Sequence, residues 1–575
     1  MLTELDKAVD AVIDAITAPG GQLEVEMADV RGVQLPVFKS APPTMREYFA
    51  YFVSQHGDKE FIVYRDERYT MREIYNRGLG IAGALQRKYG LAKGDRVAVA
   101  MRNYPEWVSA FMGLLTLGVV VVPMNAWWQS EELSYGVRHS GTRLIIADEE
   151  RARRFNAIPN LAPPVVTVRT GASVAAELGY ERLEDIEAAG PQMPYWLPPL
   201  GPQDDATIMY TSGSTGEPKG AVATHQSVVH GAMNYLVTGL AMLTLIQKDG
   251  GTLPEQQVML LNVPLFHITG SVPVLLVSVA IARKLVIMHK WDAGQALQLI
   301  EKERATYFVG VPTMSLELMQ HPDRDKYDLS TLVDIAGGGA PRPVDHVKRL
   351  AETFPGKSPA IGWGLTETNG VGAGNIRSSY QAKPASTGRA SRPLVELRIV
   401  DDSGKVLGPN EVGEVCVRSS ANVRGYWNNP EATAAAFTRD GWFHTGDLAY
   451  LDDDGYLFIV DRKKDIIIRG GENISCQEVE AAIYAHPAVA EACVFGLPDE
   501  RLGEIVGAVA FLEPGETVEP EALIDSTRDH LAAFKVPAKL WVSPDQLPKL
   551  GSGKIDKVSI RKAYRELFAT RAAAE

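Results

Sequence analysis

Residues 211–220 read TSGSTGEPKG: three glycines, four hydroxyl side chains, a proline and a lysine, with nothing able to pack a core. A strand-like run, ATIMY (206–210), leads in, and a second, GAVATH (220–225), leads out. Glycines let successive backbone N–H groups turn toward one point and form an anion nest. The hydroxyls of Thr211, Ser212, Ser214 and Thr215 add donors, and Lys219 adds a charge. Together they suit a polyphosphate. A surface hairpin has the same composition, so the loop alone decides nothing. It is not a Walker loop: that motif needs Gly-Lys-Ser/Thr leading into a helix. Here Lys219 follows Pro218, precedes Gly220 and runs into a strand.

Outward from the loop, strand-like and helix-like runs alternate. RVAVAM (96–101) is followed by EWVSAFMGLLTLG and VVVVPM (119–124); RLIIAD (143–148), KLVIMH (284–289) and YFVGVP (307–312) repeat the theme. Continuous apolar strands separated by helices predict α/β layers built on largely parallel sheets. From about residue 390 the texture changes to strands joined by tight turns, as in VELRIVD and DDDGYLFIVDRKKDIIIRG. SCQEVEAAIYAHP begins with Ser475 and Glu478 in capping-box spacing and predicts a helix with Val479, Ala482 and Ile483 inward. Strands at ACVFGLPD and EIVGAVAFL and a helix at EALIDSTRDHLAAF follow. This tail, of roughly 110 residues, is large enough for a small α+β domain. The division expected is 1–461 and 462–575, with the charged run DRKKD (461–465) at the boundary.

Length supports this division, because 575 residues exceed what one core usually organises. A net charge of −13 argues against nucleic acid as the main partner. The three cysteines, Cys416, Cys476 and Cys493, share no metal-like spacing and suggest reduced thiols in a cytoplasmic setting. The opening MLTELDKAVDAVIDAI carries an amphipathic stripe and lacks the cationic start of a secretory signal. Oily runs such as VPVLLVSVAIA (272–282) are too short to span a bilayer, so no transmembrane segment is expected, while peripheral membrane contact stays open.

Six further motifs follow the glycine-rich loop in order: PLFHITG (264–270), AGGGAP (336–341), GWGLTET (362–368), GWFHTGD (441–447), DRKKDIIIRGGENIS (461–475) and PKLGSGK (548–554). With TSGSTGEPKG they closely resemble the adenylate-forming superfamily: acyl-CoA synthetases, luciferases and peptide-synthetase adenylation domains. The resemblance runs from about residue 40 to 565. It implies a large N-terminal α/β domain of several layered subdomains and a small mobile C-terminal α+β domain.

The resemblance also implies the chemistry. A carboxylic acid attacks the α-phosphate of ATP to give an acyl-AMP, and the thiol of CoA then displaces AMP. Both steps build negative charge, so the site must offer fixed donors, with Mg²⁺ on the phosphates. Residue by residue, the nest is Thr211, Ser212, Gly213, Ser214, Thr215, Gly216 and Lys219. Glu367, with Thr211 and Thr366 nearby, is the Mg²⁺ acid; Gly338, Gly339 and Ala340 form the adenine wall, with Trp363 and Gly364 opposite. Asp447 and Arg462 hold the ribose and phosphate. Lys554 bridges the acid's carboxylate and the α-phosphate, and His267 flanks the carboxylate pocket. His267 is not needed as a base, because a carboxylate is already ionised at neutral pH. Lys464 aligns with the family's hinge, and the loop at Gly470 and Gly471 replaces Lys554 in the second step.

The expected activity is an ATP- and CoA-dependent acid–thiol ligase. Three readings stay open: loading of a carrier protein's phosphopantetheine in place of CoA, a CoA ligase for an aromatic or polycyclic acid, and a nucleotide sensor without chemistry. A medium or long fatty acid is the expected substrate. The acyl pocket is expected from residues 230–240, 267–270, 310–314 and 336–341.

Overall fold

The computed structural model describes residues 1–188, 194, 196–211, 218–251, 254–340, 342–463, 465–469, 472–550 and 553–572. Among these residues the strands form sheets of eight, thirteen and five strands and one two-stranded hairpin. The apolar runs read from the sequence are strands: Arg96–Ala100, Val120–Pro123, Leu144–Asp148, Lys284–Ile287 and Tyr307–Gly310. The first three pair in parallel in the eight-stranded sheet. Asp205–Thr211 and Lys219–Thr224 extend that sheet as an antiparallel pair. The α/β layering expected from the sequence is what forms.

Helix Pro105–Leu117 is buried on all sides, as its largely apolar sequence favours, and its one acid, Glu106, is paired with Arg77 and Arg169. It crosses helix Met71–Tyr89 so closely that a Cβ on Gly113 would lie 1.9 Å from the Gly78 carbonyl oxygen. Only glycine permits that approach.

The thirteen-stranded sheet has a parallel centre: Lys284–Ile287, Val258–Leu261, Tyr307–Gly310, Asp334–Gly338 and Ser358–Gly364. Strand alternation splits its side chains between two cores. Val258, Leu260, Phe308 and Ile335 pack on one face. Met259, Leu261, Val309 and Ala336 pack on the other. Helix His225–Lys248 contributes to that second core through Val228, Ala232 and Leu236. This 24-residue helix is long and apolar enough to cross a membrane by length and composition, which the run-by-run reading of the sequence overlooked. Half of its apolar window is buried within the protein.

After Arg462 the chain leaves the large sheet, and from Ile467 it builds the five-stranded one. That sheet has its own core of Ile467, Val479, Ile483, Val494 and Ala508, giving the small α+β unit. Ser475 caps helix Cys476–Tyr484 by accepting from Glu478 N at 3.1 Å. The reciprocal half of the expected box does not form, because the Glu478 carboxylate pairs with Lys535 at 2.7 Å instead. The helix expected over 521–534 ends at Thr527. All three cysteines are buried and free.

Candidate active site

The antiparallel pair brings Thr211 opposite Lys219, whose carbonyl accepts from Thr211 Oγ1 at 3.4 Å. Ser212, Gly213, Ser214, Thr215 and Gly216 lie outside the described residues, as do Lys464, Gly470 and Gly471. Lys219 Nζ stands 5.1 Å from the ring centroid of Tyr426. The Tyr426 hydroxyl donates to Glu367 Oε1 at 2.9 Å. Glu367 lies in the short 3₁₀ turn Thr366–Thr368 that follows strand Ser358–Gly364. Burial raises its carboxyl pKa above the usual range, against the lowering effects of backbone and Tyr426 hydrogen bonds, Arg462 and Lys219. Tyr426 was not singled out by its sequence, where it reads as one more strand aromatic. Its role appears only when strand Gly425–Tyr426 pairs with Lys219–Thr224.

Asp447 and Arg462 are a register pair across two antiparallel strands, with Arg462 Nε 2.7 Å from Asp447 Oδ1. Trp363 Nε1 donates to Asp447 Oδ2 at 3.0 Å. The indole also packs against Val371, Val395 and Val417, which anchors it in a core. Gly364 crosses the next turn so tightly that a Cβ would lie 1.9 Å from the Gly370 carbonyl oxygen.

Lys554 comes from the other domain. Its turn is closed by Gly553 N to Leu550 O at 2.8 Å, Leu550 N to Lys554 O at 2.7 Å and Asp556 N to Pro548 O at 2.7 Å. This segment docks on the large domain through Thr313 Oγ1, which donates to Gly553 O at 3.5 Å. Lys554 lies over Gly339 and lines one cavity with Gly338 and Ala340. Burial, then repulsion from Arg462, lowers its pKa to about 8, with Asp447 opposing. His267 faces the same place. Burial, then Lys554, lowers its pKa to about 3, so it is a neutral imidazole whose Nδ1 sits 3.2 Å from Thr269 Oγ1.

These residues line one continuous cavity of about 2300 Å³. That exceeds the roughly 300–1,000 Å³ of an ordinary ligand pocket, leaving room for a nucleotide and a second substrate. From Gly338 the cavity runs between the thirteen-stranded sheet and helix His225–Lys248, reaching Tyr235, Gly239, Met242 and Ile246. The stretches expected to form the pocket are present. Its far end adds Gln257, Arg283, Tyr307, Asp334 and Arg377, which the sequence reading missed.

A family profile described as "AMP-binding enzyme" matches residues 49–427, and its companion, "AMP-binding enzyme C-terminal domain", matches 478–554. The chain belongs to the AMP-binding enzymes. Long-chain-fatty-acid–CoA ligase of Bacillus subtilis is 32% identical to this AMP-binding enzyme over 89% of the chain and 93% of that protein. Feruloyl-CoA synthase of an Amycolatopsis species is 34% identical over 86% of the chain and 94% of that protein. Among solved structures, the anthranilate CoA ligase AuaEII in complex with anthranoyl-AMP superposes with a TM-score of 0.82 at 25% identity, covering 92% of this chain and 98% of that one. The enzyme's reaction class is AMP-forming acid–thiol ligation: an acid is activated as its adenylate and transferred to CoA.

Proposed function

We propose that the acid is bulky and ring-containing rather than a straight-chain fatty acid. The observation that carries this is the small-residue lining on the sheet side of the chamber. Gly239, mid-helix and exposed, lines the cavity, and a Cβ built on it meets nothing within 4 Å. The sheet side of the cavity offers the small residues Ala336, Ala360, Gly338, Gly362 and Gly374. A broad space over a small-residue sheet surface fits a ring better than a flexible chain. The names feruloyl-CoA synthase and anthranilate CoA ligase among the relatives support the reading. The long-chain ligases among them support the fatty-acid alternative.

In this reading Lys554 supplies the ammonium between the acid's carboxylate and the α-phosphate. Asp447, fixed by Arg462 and Trp363, accepts the ribose hydroxyls. Gly338, Gly339 and Ala340 form the adenine wall, and Thr211 and Lys219 hold the ends of the phosphate loop. The residues also suit Mg²⁺, which binds through one or two carboxylates plus phosphate oxygens. Glu367 is such a carboxylate, oriented by the Tyr426 hydroxyl, and its burial makes a cationic partner favourable. Bound there, Mg²⁺ would neutralise phosphate charge. With Lys554 inserted over Gly339, the domains stand as the adenylation step needs.

The test is a CoA-consumption screen over ring-containing and straight-chain acids of matched length, with Gly239→Leu alongside. The reading expects higher kcat/KM for ring acids and a selective loss on them in the variant. Preference for straight-chain acids, with Gly239→Leu equally harmless to both classes, overturns it.

A further inference from the structure

The sheet side of the acid chamber is graded. One cross-strand row is Gly338, Gly362 and Gly374, where the nucleotide end begins. Two residues further along the strands come Val309, Ala336, Ala360 and Ile376. Two more bring Met259, Tyr307 and Asp334, register partners on the same face. The chamber is therefore small and smooth at its head, apolar in the middle and polar at its foot.

Arg283, just before strand Lys284–Ile287, completes the foot. Its Nε donates to Gln257 Oε1 at 3.2 Å, and Nη1 lies 3.4 Å from the Met259 sulfur. Its guanidinium sits 5.3 Å from the Tyr307 ring centroid. Those partners are all neutral. The nearby carboxylate, Asp334, is ion-paired at 3.1 Å with Arg377. Among the described residues neither Arg283 Nη2 nor the Tyr307 hydroxyl has a hydrogen-bond partner, and both side chains line the cavity. A cation enclosed by protein without a carboxylate of its own is costly. A purely apolar substrate tail would leave that cost uncompensated.

We propose that the foot of the chamber recognises a second oxygen function on the acid, a carbonyl, hydroxyl or carboxylate carried at the end away from the reacting carboxyl, through Arg283 and Tyr307. The reach follows from the strands. Gly338 to Asp334 is four residues, and at a strand rise of about 3.3 Å the separation is roughly 13 Å. That is the span of two to three linked or fused rings, so the recognised group belongs to an extended, ring-sized acid. With Asp334 paired to Arg377, Arg283 gives the foot a positive excess that favours acceptors. The proposal rests on the acid occupying this chamber, as the proposed function has it.

The experiment compares biphenyl monocarboxylic acid with the same skeleton bearing a hydroxyl, acetyl or carboxyl group at the far para position, and decanoic acid with decanedioic acid. Initial rates of AMP formation with CoA are measured for the wild type, Arg283→Met and Tyr307→Phe. The wild type is expected to favour far-oxygenated members over their bare partners by about ten- to a hundredfold in kcat/KM. Both variants should bring that ratio toward one while the bare acids keep their rates. The hydroxyl, acetyl and carboxyl arms show which oxygen function is read. Equal rates for bare and oxygenated partners, or variants that lower both alike, overturn the proposal. Turnover of ring acids without that preference removes this inference and leaves the ring reading standing. Preference for decanedioic over decanoic acid, with no ring acid turned over, does the reverse.

Discussion

Lys554 and Gly339 lie 215 positions apart in sequence and in contact in space: a Cβ on Gly339 would stand 3.0 Å from Lys554 Cε and 3.3 Å from Nζ. Gly339 also has φ +75°, a backbone conformation in which a side chain is strained. The glycine thus makes the floor on which the tail lysine rests.

Lys554→Ala should lower acid-dependent pyrophosphate release by about 10²–10³, while CoA thioester formation from supplied acyl-AMP persists. Pyrophosphate release at the wild-type rate would remove Lys554 from the first step. Gly339→Ala should produce a smaller loss of the same kind, because it displaces the lysine rather than deleting it.

The lowered pKa of Lys554, about 8, sets a pH dependence. The useful form is the cation, which is present below that value and lost as pH rises through it. kcat/KM for adenylation, which reports the free enzyme, should therefore fall above about pH 8. Lys554→Arg, always charged, should lack that limb even if its rate is lower. A wild-type profile flat to pH 10 would contradict this.

Asp447→Asn removes the carboxylate that Arg462 and Trp363 jointly hold. Charged hydrogen bonds contribute about 1.5–3 kcal/mol, so KM for ATP should rise by about ten- to a hundredfold. KM for the acid should change little. A loss confined to the acid's KM would relocate Asp447 in the site.

Glu367→Gln keeps the shape and a carbonyl for the Tyr426 hydroxyl but removes the charge. The expected result is a shift to higher Mg²⁺ concentration in a titration of pyrophosphate release. Tyr426→Phe should give a milder shift in the same direction, since it removes only the orienting donor. Unaltered Mg²⁺ dependence in both would place the metal elsewhere.

Much of this site was legible as motifs. Lys554, Glu367, Asp447, Arg462 and the glycines of 338–339 stand in short runs whose types match the chemistry, and the structure gathers them around one cavity. The residues that escaped notice are those without a local signal. Tyr426 is an ordinary aromatic until strand pairing brings it to Glu367. Arg283, Tyr307 and Asp334 come from three separate strand beginnings, and nothing in their neighbours announces a shared place. Glu478 satisfied the capping spacing, yet a lysine 57 residues away claimed its carboxylate.

By itself the sequence determined the layered α/β architecture, the change of texture near residue 390 and, through the resemblance its ordered motifs carry, the adenylating chemistry. The first two rest on hydrophobic periodicity and turn residues, the third on functional groups gathered in short runs along the chain. Only the tertiary structure decided which side chains share the acid chamber, that small residues line its sheet side and that its foot is charged. Those properties arise from register between strands distant in sequence and from space left by absent side chains, and neither has a local signature.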